Sequence, residues 1–286
     1  MRCALALAAL CATANAIAGP AAWRVTSSAG GEMWLLGSIH FLRPADHPLP
    51  DVIDDLYSQA GTLVMEIDLD DIDPVQSQSE FLAAAMLARG TTLPDVLTPE
   101  TYSLAQAQAR DLGIDLTLLK SFEPWLVAIT ILELGVERLG FSAEHGIERY
   151  LLQKAQLDGK EVLGLETLAT QIAIFDELSA DQQEALLEQT LAEIDSAEDV
   201  MNQMVEAWRS GKLDELATTL MEDFAEFPEL YATLVVDRNM RWIETLESLL
   251  AKPGRHLVIV GALHLVGEHN VVDLLAADGF VIEPIE

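Results

Sequence analysis

The sequence predicts an α/β fold of mixed α+β character: a central mixed sheet built from two similar strand-helix-strand units and covered by helical insertions. Three observations lead there. First, the apolar runs Trp34-Leu35-Leu36 and Leu257-Val258-Ile259-Val260 suit strands buried on both faces, and each runs into the same phrase, Gly37-Ser38-Ile39-His40 and Gly261-Ala262-Leu263-His264. Second, a turn, a helical pattern, a Gly and another strand come after each phrase. Third, helical patterns fill the chain between the units at about 74–157 and 179–250, with one strand between them.

The first residues read as a leader. Met1-Arg2 is a short basic start, Cys3 to Ala14 is apolar, and Ala16-Ile17-Ala18 before Gly19 meets the small-x-small rule for cleavage. Residues 1–18 are therefore expected to be a signal peptide cleaved after Ala18, with 19–286 a single periplasmic or secreted domain. Both cysteines, Cys3 and Cys11, fall inside the leader, so the mature chain is expected to have no disulfide, thiolate metal site or cysteine nucleophile.

Trp23 to Ser27 and Glu32 to Leu36 are β-rich runs across Ser28-Ala29-Gly30-Gly31, a hairpin. The second run delivers His40. Arg43 to Pro50 is a proline-stiffened connection in which His47 reads as a surface residue. Val52, Ile53, Leu56 and Tyr57 then mark a helix, and Thr62 to Ile67 a strand. Alternation turns Glu66 to the face opposite Met65 and Ile67. Asp68, Asp70, Asp71 and Asp73 come next, but the Gly and the closing Glu of a calcium loop are missing.

Phe81, Leu82, Ala85 and Met86 form an apolar helical stripe ended by Arg89-Gly90, and Thr98-Pro99 is a good helix start. Pro124 to Leu132 is apolar but too short to span a bilayer, and it reads as a buried helix; no membrane-spanning segment is expected in the mature chain. A further helix runs from Gly146 to Leu157, and Glu144-His145-Gly146-Ile147-Glu148 offers His145 and Glu148 as secondary site candidates. Lys160 to Glu166 is a third strand that echoes the Gly-x-x-His phrase with Glu in place of His. Two readings of Glu166 stand side by side, a residue of the site and an acid favouring the dipole of the next helix.

Ser179 caps an acidic helix carrying Leu186, Leu187, Leu191 and Ile194, followed by Val200, Met204, Val205 and Trp208. A helix through Leu234 to Leu250 carries Arg238 and Asn239, which point about 100° apart. One is expected to touch a ligand and the other to pin loops. After His264 come Gly267, the helical pattern Val271, Val272, Leu274 and Leu275, and a strand from Phe280 to Glu283, whose Glu283 echoes Glu66.

The formal net charge of −31, from 47 acidic against 16 basic side chains, repels nucleic acid and anionic lipid. No nucleic-acid partner is expected. In each Gly-x-x-His phrase the Gly is expected to let the backbone leave the sheet at an angle a Cβ would resist, carrying the imidazole to the rim where ligands of open α/β sheets collect.

The paired phrases, with Glu66 after the first, Gly164-Leu165-Glu166-Thr167 in the middle and Arg238-Asn239 before the second, resemble the TraB/GumN family, which includes the Tiki proteins. The resemblance runs from about Trp23 to Ile285 and rests on the ordered set, not on any single motif. It implies a metal-dependent hydrolase in which the two histidines and a Glu are essential, with proteolysis known in the Tiki branch. It also implies distant kinship with esterase-like and haem-binding proteins of the same fold, so fold alone does not settle activity.

On this reading His40, Glu66 and His264 hold a divalent ion, Mn²⁺, Co²⁺ or Zn²⁺, since two imidazoles and a carboxylate are a common ligand set. Such an ion makes hydroxide available near neutral pH. Glu66, Glu166, Arg238 and Asn239 are the catalytic candidates, a spare Glu being suited to act as general base. The chain has no H-E-x-x-H helix, G-x-S-x-G elbow, Walker loop or G-x-G-x-x-G stretch. The expected activity is hydrolysis of a peptide bond in an exported protein or peptide. The alternatives are a metal-independent, esterase-like hydrolase using the same histidines, and a non-catalytic periplasmic haem- or metal-binding or polysaccharide-accessory protein.

Overall fold

The computed structural model describes residues 19–68, 73–222, 224 and 227–285. Residues 1–18, on which the leader reading rests, lie outside them, as do Asp70 and Asp71.

The chain is a mixed α/β protein. Six strands, β1 (Ala22–Thr26), β2 (Gly31–Ser38), β3 (Thr62–Ile67), β4 (Glu161–Glu166), β5 (Gly254–Gly261) and β6 (Val281–Pro284), form one sheet in the order β4-β3-β5-β2-β1-β6. β4, β3, β5 and β2 run parallel, and β1 lies antiparallel between β2 and β6. The continuous apolar runs seen in the sequence are the two central strands: Met33 to Ser38 and Leu257 to Gly261 are buried throughout, as a parallel strand covered on both faces requires. β1 and β2 pair as a hairpin with Trp23 opposite Leu35.

The two Gly-x-x-His phrases therefore end neighbouring strands. They do so out of step: Ser38 pairs with Gly261, and Gly37 with Val260. The chain leaving β2 crosses β5 to reach β3, and the chain leaving β5 crosses β2 and β1 to reach β6, so both connections start at the carboxyl edge of the same strand pair.

Two expectations need correction. The glycines are not there for an unusual backbone angle, since neither Gly37 nor Gly261 is among the residues with positive φ. They are there for space: a Cβ on Gly37 would meet Ala21 and Ala262 at 3.2 Å, and one on Gly261 would lie 3.1 Å from His40 Nε2. The likeness between the two units also stops short of the site. β1 occupies the place beside β2, so β6 adds outside it, and Glu283 pairs with Arg24 at 3.4 Å instead of joining Glu66.

Helices cover the sheet and also build a separate core. Leu93, Ala105, Ala109, Val127, Ile131 and Leu187 pack together among the helices Pro99–Asp111, Pro124–Arg138 and Ala180–Glu193. The expected caps are in place, Thr98 accepting from the Thr101 N–H and Ser179 from the Gln182 N–H. Pro124–Arg138 is buried along much of its length. Among the described residues no helix is long and apolar enough to cross a membrane.

Candidate functional site

β2 ends at Ser38, so His40 stands just beyond the sheet rim with its side chain 53 % exposed. Its Nδ1 lies 2.8 Å from the Glu148 carboxylate, and the Ser38 hydroxyl donates to the same carboxylate oxygen. Glu148 comes from the helix Ile147–Asp158, whose start is drawn to the rim by the Ile147 N–H donating to the Ile39 carbonyl at 3.3 Å. The Glu148 charge beside it raises the His40 pKa to about 9. Burial would push Glu148 up, but His40 and Ser38 hold it below the usual carboxylate range. The other ring nitrogen, Nε2, lies against Gly261, where an added Cβ would sit 3.1 Å from it and 3.5 Å from Glu66 Oε1.

Glu66, at the end of β3, accepts three hydrogen bonds. Its Oε1 takes the Gly261 N–H at 2.8 Å, and its Oε2 takes Arg238 Nη2 at 2.5 Å and Gln171 Nε2 at 3.2 Å. The fourth neighbour is His264, whose Nε2 is 4.0 Å from Oε1. Burial opposes its charge, but His264, Arg238, His40 and the Gly261 amide outweigh it and hold the carboxyl at about 2. Burial in turn lowers His264 to about 3, so at neutral pH that ring is uncharged and Arg238 is the cation nearest Glu66.

His264 is buried and gripped at both nitrogens. Asn239 Nδ2 donates to the His269 carbonyl at 3.0 Å, which turns Asn239 Oδ1 toward His264 Nδ1 at 2.6 Å. Nδ1 must then carry the proton and Nε2 the lone pair, and Arg238 Nη1 donates to that lone pair at 3.1 Å. Adjacent residues on one helix thus reach the same ring from opposite ends, where the sequence reading gave them separate tasks. The Trp242 ring packs 4.5 Å from the imidazole.

Glu166 ends β4 and belongs to this cluster. Its Oε1 accepts from Arg238 Nε at 3.0 Å and Nη2 at 2.6 Å, and its Oε2 from Trp242 Nε1 at 3.1 Å. With both oxygens engaged it is placed to hold Arg238, and the next helix is capped by Thr167 instead. A five-residue π-helical segment, Ala232–Val236, comes just before Arg238. Such single-turn widenings gather at functional sites because they re-aim the side chains beyond them.

The structure brings together all of His40, Glu66, Glu166, Arg238, Asn239 and His264. It adds Ser38, Gln171 and Trp242, which carry no signal in the sequence, and Glu148, which stood there only as a secondary candidate. His145 is elsewhere: its carbonyl lies 2.9 Å from His47 Nε2, and the two rings pack 6.1 Å apart.

His40, Glu66, Arg238, Gly261 and His264 share the wall of one cavity of about 500 Å³. Among the described residues no three His, Cys, Asp or Glu side chains stand ready as an ion cage. The donor chemistry nevertheless suits a divalent ion. Each imidazole has its inner nitrogen on an oxygen acceptor and its outer one on the cavity wall shared with Glu66, the arrangement by which metal-ligating histidines are oriented. An ion using His264 Nε2 would require Arg238 Nη1 to release it.

Fold and site together define an α/β protein with a buried His-Glu-Arg cluster at the carboxyl edge of its parallel strands. The chain belongs to the TraB/PrgY/gumN family, whose pattern it matches over residues 21–284. It is 31 % identical over 241 residues, 84 % of this chain and 86 % of the relative, to the Uncharacterized protein YbaP of Escherichia coli (strain K12), and equally to that of Shigella flexneri. An uncharacterized protein of Treponema pallidum (strain Nichols) is 22 % identical over 258 residues, 86 % of this chain and 77 % of the relative. No solved structure matches.

Proposed function

We propose that the protein is a metal-dependent hydrolase that cleaves peptide bonds in exported proteins or peptides, acting in the periplasm or outside the cell. The observation that carries this reading is the paired orientation of the histidines. His40 Nδ1 is held by Glu148 and His264 Nδ1 by Asn239, which leaves both Nε2 atoms on the cavity wall they share with Glu66, His264 Nε2 at 4.0 Å from its Oε1 and His40 Nε2 against Gly261.

The acidities argue for an added ion. A general base works best with a pKa near the operating pH. His40 at about 9 is protonated at neutrality, Glu66 at about 2 is a weak base, and the His264 lone pair is engaged by Arg238. None of the three alone is matched to activating water. A divalent ion held by His40, Glu66 and His264 would acidify a water and polarise the scissile carbonyl. On binding the ion His40 would lose its Nε2 proton to solvent and keep its Nδ1–H on Glu148, and Arg238 would offer the Nη1 N–H released from His264 to negative charge growing beside Glu66. Glu166 and Trp242 would keep the guanidinium in place.

Arg238 on His264 Nε2 also favours a second reading, metal-free hydrolysis with His40 as the proton donor to the leaving group. One experiment separates the two. Residues 19–286 are stripped with chelator and assayed on peptides and on an aryl ester with Mn²⁺, Co²⁺ or Zn²⁺ restored, beside His40→Ala and His264→Ala. The first reading expects cleavage only with metal and a loss of at least about a hundredfold in both variants. Full activity in chelator, lost in the variants, would replace it with the second. Activity indifferent to both treatments ends both readings.

A further inference from the structure

The reactive groups occupy only one wall of their cavity. The rest is apolar, formed by Leu132, Met201, Met204, Leu220, Phe224 and Leu234 from the helical layer. The same six residues line an adjoining cavity of about 230 Å³, so the apolar space continues inward between the helices Pro124–Arg138, Ala180–Glu193 and Ala197–Arg209. On the far side of the cluster the character changes. His40, Glu66 and Gln171 also border a cavity of about 380 Å³ that contains Glu144, Glu148 and Arg149.

The contrast with the rest of the molecule is sharp. In a chain of net charge −31 the six residues that line both cavities are all apolar, with Glu66 on the wall of the larger and Glu193 on that of the smaller. Leu132 remains 44 % exposed there, next to the exposed Glu133 on the same helix. A space of about 500 Å³ with an apolar lining and a few convergent polar groups is what a binding site requires. The two methionines suit occupants of varied shape, because an unbranched thioether chain repacks easily.

We propose that this trough is the specificity subsite, seating large aliphatic or aromatic side chains of a peptide so that the adjoining peptide bond lies over Glu66, Arg238 and His264. Cleavage of the seated peptide rests on the hydrolase reading, whereas the binding itself does not. The occupant is an apolar peptide segment: the trough shares its cavity with the cluster, so a chain seated there runs past Gly261 and the half-exposed His40 ring.

The test uses the metal-free chain and two fluorescently labelled peptides of equal length and equal positive charge, one with a Leu-Phe-Leu centre and one with Ser-Gly-Ser. Anisotropy is expected to show the apolar peptide bound at least about tenfold more tightly, the effect of burying one or two large side chains. Met204→Asp and Leu132→Asp should abolish that preference, and Leu132→Asp, at a half-exposed position, should keep the wild-type melting temperature. Equal affinity for the two peptides, or a preference that survives in both variants, overturns the proposal. Preferential binding without cleavage under any of the three metals leaves the subsite standing and ends the hydrolase reading alone.

Discussion

Two side chains decide the electrostatics of the site. Arg238 is the cation between Glu66 and Glu166, with all three side chains largely buried. Replacing it by Gln strands two carboxylates, and breaking a buried pair from one side costs about 3–5 kcal/mol. Arg238→Gln should therefore lower the urea midpoint strongly without changing the slope, and an unchanged midpoint would mean that the carboxylates find other partners. Glu148 does the corresponding work for His40, holding its pKa at about 9 against an ordinary 6.5. In Glu148→Gln the His40 ring should titrate near or below 6.5, as read from its NMR shifts, while His264 stays neutral throughout. These pairings could not be read from residue order. Glu148 lies 108 positions from His40, and its neighbour His145 was an equally good candidate until the helix start was seen docked on the strand end.

At the scale of the element, caps and buried strands were legible because their chemistry is local. Thr98 and Ser179 satisfy orphan helix N–H groups through side chains three residues away. Ser179→Ala should cost about 1 kcal/mol, measured by thermal melting, and leave the His40 titration untouched, because that helix packs in the second core away from the sheet. A shifted titration would show that the two cores are coupled. The π-helical segment Ala232–Val236 was not legible. The sequence there reads as continuous helix, and the extra residue appears only where one end must bury Leu230, Tyr231 and Val235 while the other aims Arg238 and Asn239 at one ring. The repeat was legible as pattern but misleading as symmetry, since the β1 hairpin displaces β6 to the outer edge.

For the whole molecule, the same groups set how stability responds to pH. His264, at about 3 folded and 6.5 otherwise, is a group the unfolded chain protonates first, so stability falls as pH drops from 6.5 toward 3. Glu66, held at about 2 against 4.5, contributes stability above 4.5 that is lost as pH falls toward 2. His40 works the other way: its contribution is complete below 6.5 and is lost as pH rises through 9. Urea midpoints across pH should therefore show an acid limb that flattens in His264→Gln and an alkaline limb that flattens in Glu148→Gln. Comparing variant with wild type removes the smooth background of the net charge of −31, which is common to both. Parallel limbs in all three proteins would mean that the site does not govern the profile.

The sequence by itself determined the mixed α/β class, the two strand ends that carry the histidines, and the family, because burial pattern, caps and an ordered set of motifs are properties of neighbouring residues. Only the tertiary structure decided which groups face each other. It set β2 beside β5 one residue out of step, gave Glu148 to His40 and Asn239 to His264, and laid Arg238 across the two carboxylates. Those are contacts between strands and helices far apart in the chain, where a shift of one residue in register exchanges one partner for another.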